Sequence, residues 1–262
     1  MSSDFSLSDK WLKKLDRQTQ ELANRIGVDR KTLDEVFDKP TLLRLGKLIS
    51  NKVIDHFDFP ISTGKEAIVF RAVTPNDDFV AIKIYRTSNL AFKHIAKYIE
   101  GDPRFNLINK SRRGVIFEWA KKEYKNLERL KNANIQVPVP IIKMNNILVM
   151  QYIGDSNKPA PLLKDSQPAN PKKTYNTIIR FISLMYNKAG IVHADLSAYN
   201  ILMYQENPYI IDVGQGVLLE HPQSIEFLKR DIHNIVHYFS RFDIKDDEIK
   251  IFNKITKKSD VS

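Results

Sequence analysis

The sequence predicts an α+β protein: a five-stranded antiparallel sheet with one main helix inserted, a mostly helical second half, and short helices ahead of both. Three observations predict it. Stretches with a period near two, rich in β-branched and aromatic residues, fill most of 52–86 and return at 141–153. A helical period separates these two groups, at about 114–132. Beyond residue 173 the apolar residues recur mainly at helical spacing, with only short strand-like pieces between.

The 262 residues suffice for one large domain or two modest ones, and 42% hydrophobic content supports a true core rather than a disordered chain. The absence of cysteine excludes disulfide scaffolds, thiolate metal sites and cysteine nucleophiles together. No long apolar run exists and the first residues lack an apolar leader, so a soluble, cytoplasmic protein with no membrane partner is expected. The net charge of +10 favours polyanionic partners without choosing among RNA, DNA, nucleotide and acidic surface. Much of that charge lies between Arg104 and Lys131, a run that a solvated helix face and loop would also explain.

Taken in order, Trp11, Leu12, Leu15, Leu22 and Ile26 recur at helical spacing. Asp29 can cap a second helix bearing Leu33, Val36 and Phe37, and Pro40 can open a third through Ile49. Three antiparallel strands follow in NKVIDHFDFPIS, EAIVFRAV and FVAIKIYR, divided by Gly64 and by Pro75-Asn76-Asp77-Asp78. Residues 87–113 show no sustained period and read as a mobile loop with a partial helix. The helix after it offers Phe117, Tyr124, Leu127 and Leu130 for burial, and two strands around Met144-Asn145-Asn146 complete the sheet. A polar, proline-rich connector (154–173) leads to a helix in TYNTIIRFISLMYNKAG, stopped by Gly190. Short strands at 201–204 and 209–211 precede a last strong helix through Phe227, Ile232 and Phe239.

The chemistry concentrates in Ile191-Val192-His193-Ala194-Asp195-Leu196-Ser197-Ala198-Tyr199-Asn200, with Ile210-Ile211-Asp212-Val213-Gly214 beginning ten residues later. Protein kinases carry H-x-D with Asn five residues after the Asp, then a metal-binding Asp opening D-F-G. Phosphoryl transfer needs a carboxylate beside the attacking hydroxyl and oxygen ligands that hold magnesium against the phosphates. A short loop returning into a strand points Asp195 at the acceptor and Asn200 at the metal, while Asp212 supplies the charged ligand. The plainer alternative is three polar residues stabilising a turn. His193 is read as ordering this loop by hydrogen bonding.

The upstream half agrees. Val80-Ala81-Ile82-Lys83 repeats the V-A-I-K pattern, in which Lys contacts nucleotide phosphates and pairs with a helix glutamate. Alone it is weak, since an alternating strand often exposes a lysine. Among Glu118, Glu123 and Glu128, Glu123 is the chosen partner because Leu127 and Leu130 share its face, with Glu118 second. The turn Ser62-Thr63-Gly64-Lys65-Glu66-Ala67 has one glycine where common protein kinases have three, so an ordinary hairpin turn competes with a phosphate cover.

S-T-G-K-E-A at 62–67, V-H-A-D-L-S-x-Y-N at 192–200 and I-I-D-V-G-Q at 210–215 resemble the RIO atypical protein kinases, Rio1 subfamily in its compact archaeal form. W-A-K-K-E-Y-K-N-L at 119–127 and H-P-Q-S-I-E-F-L-K-R-D-I at 221–232 resemble it too. The resemblance implies a trimmed two-lobed protein-kinase-like fold binding ATP and Mg2+ or Mn2+. Its organisation would be a helical extension over 1–50, an N-lobe over 51–152 and a C-lobe over 153–262. By position, Lys83 contacts the phosphates with Glu123 as ion-pair partner, and Ser62, Gly64, Lys65 and Glu66 belong to the phosphate cover. Met150 backs the adenine, with backbone groups of Gln151 and Ile153 at its edge. Asp195 accepts the proton, and Asn200 and Asp212 ligate the metal. The Asp212 position is also implicated as an aspartyl-phosphate acceptor in an ATPase cycle, and the family acts in small ribosomal subunit maturation, so a pre-ribosomal particle of protein and rRNA is an implied partner.

Ser197 stands where ordinary kinases carry Lys, and Val213 replaces the Phe of D-F-G. Only 50 residues follow Asp212, with no A-P-E segment, so an activation segment and peptide-docking helices are expected to be missing. The expected activity is ATP-dependent phosphorylation of protein serine, including the chain's own, with ATPase activity. Ser111, between Lys110 and Arg112, is the candidate self-acceptor, although an uninvolved surface serine is the favoured reading of it. The alternatives are an ATPase-driven assembly switch on an RNA particle, a small-molecule kinase of the aminoglycoside or choline type, and a non-catalytic nucleotide-binding scaffold.

Overall fold

The computed structural model describes residue 17 and residues 38–87 and 111–257. The expected helices before residue 38, and most of the expected loop at 87–113, lie outside these. The described chain falls into two compact units. The first takes residues 38–87, 111–120 and 141–152, and the second takes 121–140 and 153–257.

The first unit is built on a five-stranded sheet. Its helix α1 (Lys39–Ser50) starts at Asp38, whose Oδ1 accepts the Thr41 N–H at 2.9 Å, with Pro40 in the first turn. Strands β1 (His56–Thr63), β2 (Ala67–Val73) and β3 (Phe79–Tyr85) follow as read from the period of two, then β4 (Pro140–Met144) and β5 (Ile147–Gln151). The sheet order is β1-β2-β3-β5-β4. Pro60 lies on the edge strand β1, where a missing N–H costs no ladder bond, and the register shifts on either side of it.

The two faces of the sheet have different work. Ile68, Phe70, Ala72, Val80, Ile82, Ile84, Ile147 and Val149 form one face and pack under Leu45 and Leu48 of α1. Alternation sends Val69, Arg71, Ala81, Lys83, Leu148 and Met150 to the other face, aligned across the ladder as Val69-Lys83-Leu148 and Arg71-Ala81-Met150. Fully buried Asn146 fastens α1 to the sheet, donating to Thr41 Oγ1 and to the Tyr85 carbonyl and accepting from Arg44.

Helix α2 (Arg112–Asn132) opens two residues before the expected start, with Ser111 Oγ accepting the Gly114 N–H at 3.2 Å. In the second unit, α3 (Pro171–Leu184) is capped by Asn170 and widens into a π-turn (Met185–Ala189) that Gly190 ends at φ 66°, a left-handed value suited to glycine. Strands β6 (Ile191–Val192), β7 (Ile201–Tyr204) and β8 (Asn207–Ile210) follow. A 3₁₀ turn (Val213–Gln215) leads to β9 (Val217–Leu218), and α4 (Ser224–Ser240) and α5 (Glu248–Thr256) end the described chain. Ile178, Phe181, Ile232 and Ile235 fill the core between α3 and α4, and the Tyr175 and Phe239 rings meet edge-on at 5.4 Å. Among the described residues no helix is long and apolar enough to cross a membrane.

Candidate catalytic site

In the second unit a long-range strand pair and a short hairpin frame the loop that carries the candidate chemistry. β6 pairs antiparallel with β9, and β7 with β8. Ile201 faces Ile210 in the β7–β8 register, and the pairing extends outward because the Ile211 N–H donates to the Asn200 carbonyl at 3.0 Å. Asn200 and Asp212 therefore leave the same end of one hairpin. Asn200 Nδ2 donates to the Asp195 carbonyl at 2.7 Å and to its Oδ2 at 3.2 Å. A carboxylate only accepts, so the amide nitrogen must face Asp195, which turns Asn200 Oδ1 outward. The three residues singled out by spacing are thus brought together, with Asp195 half-buried and the Asp212 side exposed.

This loop is held by groups the sequence reading did not single out. Asp231 on α4 is 1% exposed, and its two oxygens accept the N–H groups of Ala194 at 2.9 Å and Leu196 at 2.8 Å. Arg230 donates to the Ala194 carbonyl and Asn234 Nδ2 to the Leu196 carbonyl at 3.0 Å. Both residues flanking Asp195 are therefore gripped at N–H and C=O alike, with Ala194 at φ 67°, a left-handed conformation that needs such support. Burial pushes the Asp231 carboxyl up from 3.8 to about 7, opposed by the two N–H donors and by Arg230.

The turn after Asp212 is held from α2. Buried Asn126 donates to the carbonyls of Val213 at 2.8 Å and Gly216 at 3.3 Å, and Lys122 reaches the Gln215 carbonyl at 3.5 Å. Asp212 itself has φ 58°. A Cβ on Gly216 would stand 3.1 Å from Asn126 Nδ2 and from the Val213 carbonyl, which explains a glycine there. His193, 1% exposed, donates from Nε2 to the Ile211 carbonyl at 3.1 Å, tying β6 to the end of β8. Its pKa is lowered by burial, so the ring is neutral and structural, as expected. The sequence offered one hint to these holders, since Asn126 and Asp231 both stand inside the resembling stretches.

In the first unit, Lys83 is 8% exposed on β3, with its ammonium 5.3 Å from the Tyr85 ring centroid. Ser62 to Lys65 are exposed and Glu66 is half-buried. The turn is braced by Arg86, whose Nε donates to the Gly64 carbonyl at 3.0 Å and whose N–H donates to the Glu66 carbonyl at 2.8 Å. Gly64 N–H donates to Ala67 at 2.9 Å, and a Cβ there would meet that same oxygen at 3.3 Å. Met150 sits opposite Ala81, Gln151 ends β5 exposed, and the Ile153 carbonyl accepts from Ala160. On α2, Glu123 is 1% exposed, whereas Glu118 is half-buried and Glu128 exposed.

Among the described residues no group of three or more His, Asp or Glu side chains could hold a metal alone. One carboxylate and one amide oxygen fit magnesium, which keeps waters and takes phosphate oxygens rather than a closed protein cage. A sheet whose strand β3 carries the buried lysine of V-A-I-K, with an Asp-Asn loop and a strand-delivered Asp, defines a protein kinase.

The comparisons with known proteins agree. The RIO domain pattern matches residues 68–251. The RIO-type serine/threonine-protein kinase Rio1 of Haloferax volcanii is 37% identical over 251 residues, covering 95% of this chain and 86% of that protein. The Rio1 kinase of Thermoplasma acidophilum is 45% identical over 191 residues, 73% of this chain and all of that protein. A solved Rio2 kinase from Chaetomium thermophilum, in an ADP/Mg2+-phosphoaspartate complex, shares the fold with a TM-score of 0.63 at 20% identity, over 83% of this chain and 67% of that one. The chain belongs to the RIO family of serine/threonine protein kinases, in the Rio1 subfamily.

Proposed function

We propose that this kinase uses ATP with Mg2+ or Mn2+ to phosphorylate protein serine or threonine, its own included. We further propose that it hydrolyses ATP, and that it serves small ribosomal subunit maturation in the cytoplasm on a pre-ribosomal particle of protein and rRNA. The observation that carries the reading is the Asn200–Asp195 hydrogen bond at the hairpin end from which Asp212 also emerges. Asp195 accepts the hydroxyl proton as the acceptor oxygen bonds to the γ-phosphorus, and ADP leaves as the bond to the β–γ bridging oxygen breaks. Asn200 orients that carboxylate through Nδ2 and offers Oδ1, with Asp212, to the metal. The metal, when bound, neutralises charge on the phosphates. Lys83 and the turn from Ser62 to Glu66 bind phosphate oxygens, with burial favouring Glu123 over Glu118 and Glu128 as the acidic member of that set. Met150 and the backbone of Gln151 and Ile153 take the adenine, Ile153 through its N–H because its carbonyl is engaged.

A second reading is supported by the exposed carboxylate of Asp212. Here Asp212 attacks the γ-phosphorus, forming an aspartyl phosphate and ADP, and water then cleaves the acyl phosphate. The protein would act as an assembly switch on the particle with little transfer to other proteins. The Chaetomium Rio2 complex, described as ADP/Mg2+-phosphoaspartate, supports this chemistry.

Incubation with γ-labelled ATP and magnesium separates the two. Acid-stable label on serine, lost in Asp195→Ala, supports transfer, and mapping it to Ser111, which is exposed, would place the self-acceptor. Hydroxylamine-labile label, lost in Asp212→Ala, supports the acyl phosphate. Equal label on wild type and Asp195→Ala would remove Asp195 as the base. ATPase turnover indifferent to added small-subunit particles would remove the ribosomal role.

A further inference from the structure

We propose that Arg71 is a positioning residue for nucleotide recognition, acting through Tyr152 on the Gln151-to-Ile153 segment. The proposal rests on the reading that this segment takes the adenine.

Arg71 is 6% exposed and lies on the Lys83 face of the sheet, in the row Arg71-Ala81-Met150. Its guanidinium is sandwiched between the rings of Phe59, 4.3 Å to the centroid, and Phe79, 4.2 Å, with the Tyr152 ring at 5.5 Å. Phe79 and Tyr152 meet edge-on at 6.0 Å. Asp58 balances the charge, accepting from Nε at 2.7 Å and also from Nη2. Desolvating a charge is costly, and a buried ion pair often gives way to an apolar side chain of similar volume without loss of stability. A guanidinium here does what leucine cannot. Its flat cation fixes the planes of the surrounding rings and keeps its own orientation by donating from Nε and Nη2 to one Asp58 oxygen.

Tyr152 is the useful member of this stack. It follows Gln151, the last residue of β5, and precedes Ile153, so the peptide groups offered to an adenine edge are its own chain neighbours. Tyr152 is 8% exposed, and the Ile153 carbonyl is pinned by Ala160 N–H at 3.0 Å. With its ring packed in this stack, Tyr152 fixes the end of β5 before any ligand arrives, and recognition by backbone groups depends on placement to fractions of an ångström. Arg71 acts at one remove, through the aromatic rings.

The test is calorimetric titration with Mg2+-AMP-PNP and, separately, with Mg2+-tripolyphosphate, which lacks adenine. Arg71→Lys keeps the charge and loses the plane. It is expected to weaken AMP-PNP binding about tenfold. Tripolyphosphate binding should be unchanged, and the KM for ATP should rise while kcat holds. Tyr152→Phe, which keeps the ring, should bind as wild type, and Tyr152→Leu should repeat the Arg71→Lys loss. The two losses should fall short of additive in the double variant. Wild-type affinity in Arg71→Lys, or equal losses for AMP-PNP and tripolyphosphate, would overturn the proposal. If Arg71→Lys does not fold, equal affinities of Tyr152→Leu and Tyr152→Phe overturn it. Failure of the wild type to bind AMP-PNP at all would instead defeat the nucleotide reading beneath it.

Discussion

The two units secure their candidate site residues by different physics. In the first, Lys83 is placed by a ladder: β3 pairs on both sides in unbroken register, and alternation alone decides that the ammonium and the α1 core lie on opposite faces. In the second, Asp195 and Asp212 sit in non-helical, non-strand backbone, and side chains from α4 and α2 occupy the neighbouring peptide groups one by one. A ladder shares its load over many equivalent bonds, so no single side chain is decisive. A gripped loop depends on a few buried polar atoms, each costly to leave without its partner.

That contrast can be tested from its strongest consequence down. Asp195→Ala should lower kcat about a thousandfold with the fold intact, since it removes the proposed proton acceptor, as single-turnover phosphorylation would show. Asp231→Asn should lower kcat about a hundredfold although it touches no substrate, because an amide nitrogen would oppose one of the N–H groups of Ala194 and Leu196. Asn126→Ala should cost about tenfold in kcat, the loss of one buried hydrogen-bonded anchor, and Gly216→Ala should resemble it by displacing the same amide. Leu45→Ala, under the sheet, should lower unfolding stability by about 2–5 kcal/mol in denaturant titration yet leave kcat of the folded protein unchanged. If Leu45→Ala lowered kcat as far as Asn126→Ala, the distinction between ladder and grip would fail.

The pH dependence sharpens the same contrast. The Asp231 carboxyl rises from 3.8 to about 7 on folding, so between these values the folded chain holds a proton that the unfolded chain has lost. Its contribution to stability is complete below about pH 4 and falls as pH climbs to about 7, while the ionised form that serves Ala194 and Leu196 gains population. Stability should therefore decline with rising pH as activity increases, and denaturant unfolding of Asp231→Asn should lose that slope.

The parts legible in the sequence were those written locally. The period of two gave β1 to β3, Pro40 announced α1, and Leu127 with Leu130 pointed to Glu123, which is indeed the most buried of the three glutamates of α2. The two-residue strands β6 and β9 were not legible, because so short a strand has no period of its own and exists through its partner. Asp231 was equally hidden as a loop anchor: within helix α4 its spacing of four to Ile235 says only that it points inward. Arg71 reads as one more charge on a strand until Phe59, Phe79 and Tyr152 are seen around it.

By itself the amino-acid order determined the chemistry and the elements: Lys83 on a strand, Asp195 and Asn200 in one loop, Asp212 at the end of the next strand. Those features depend on spacing along the chain, which dihedral preference and apolar periodicity express directly. Tertiary structure alone decided who holds the loop, because Asp231 lies 37 and 35 residues from the N–H groups it accepts and Asn126 lies 87 from the carbonyl it reaches. Desolvation selects such partners only once the chain has closed around them, and no local pattern records which distant side chain will then be within reach.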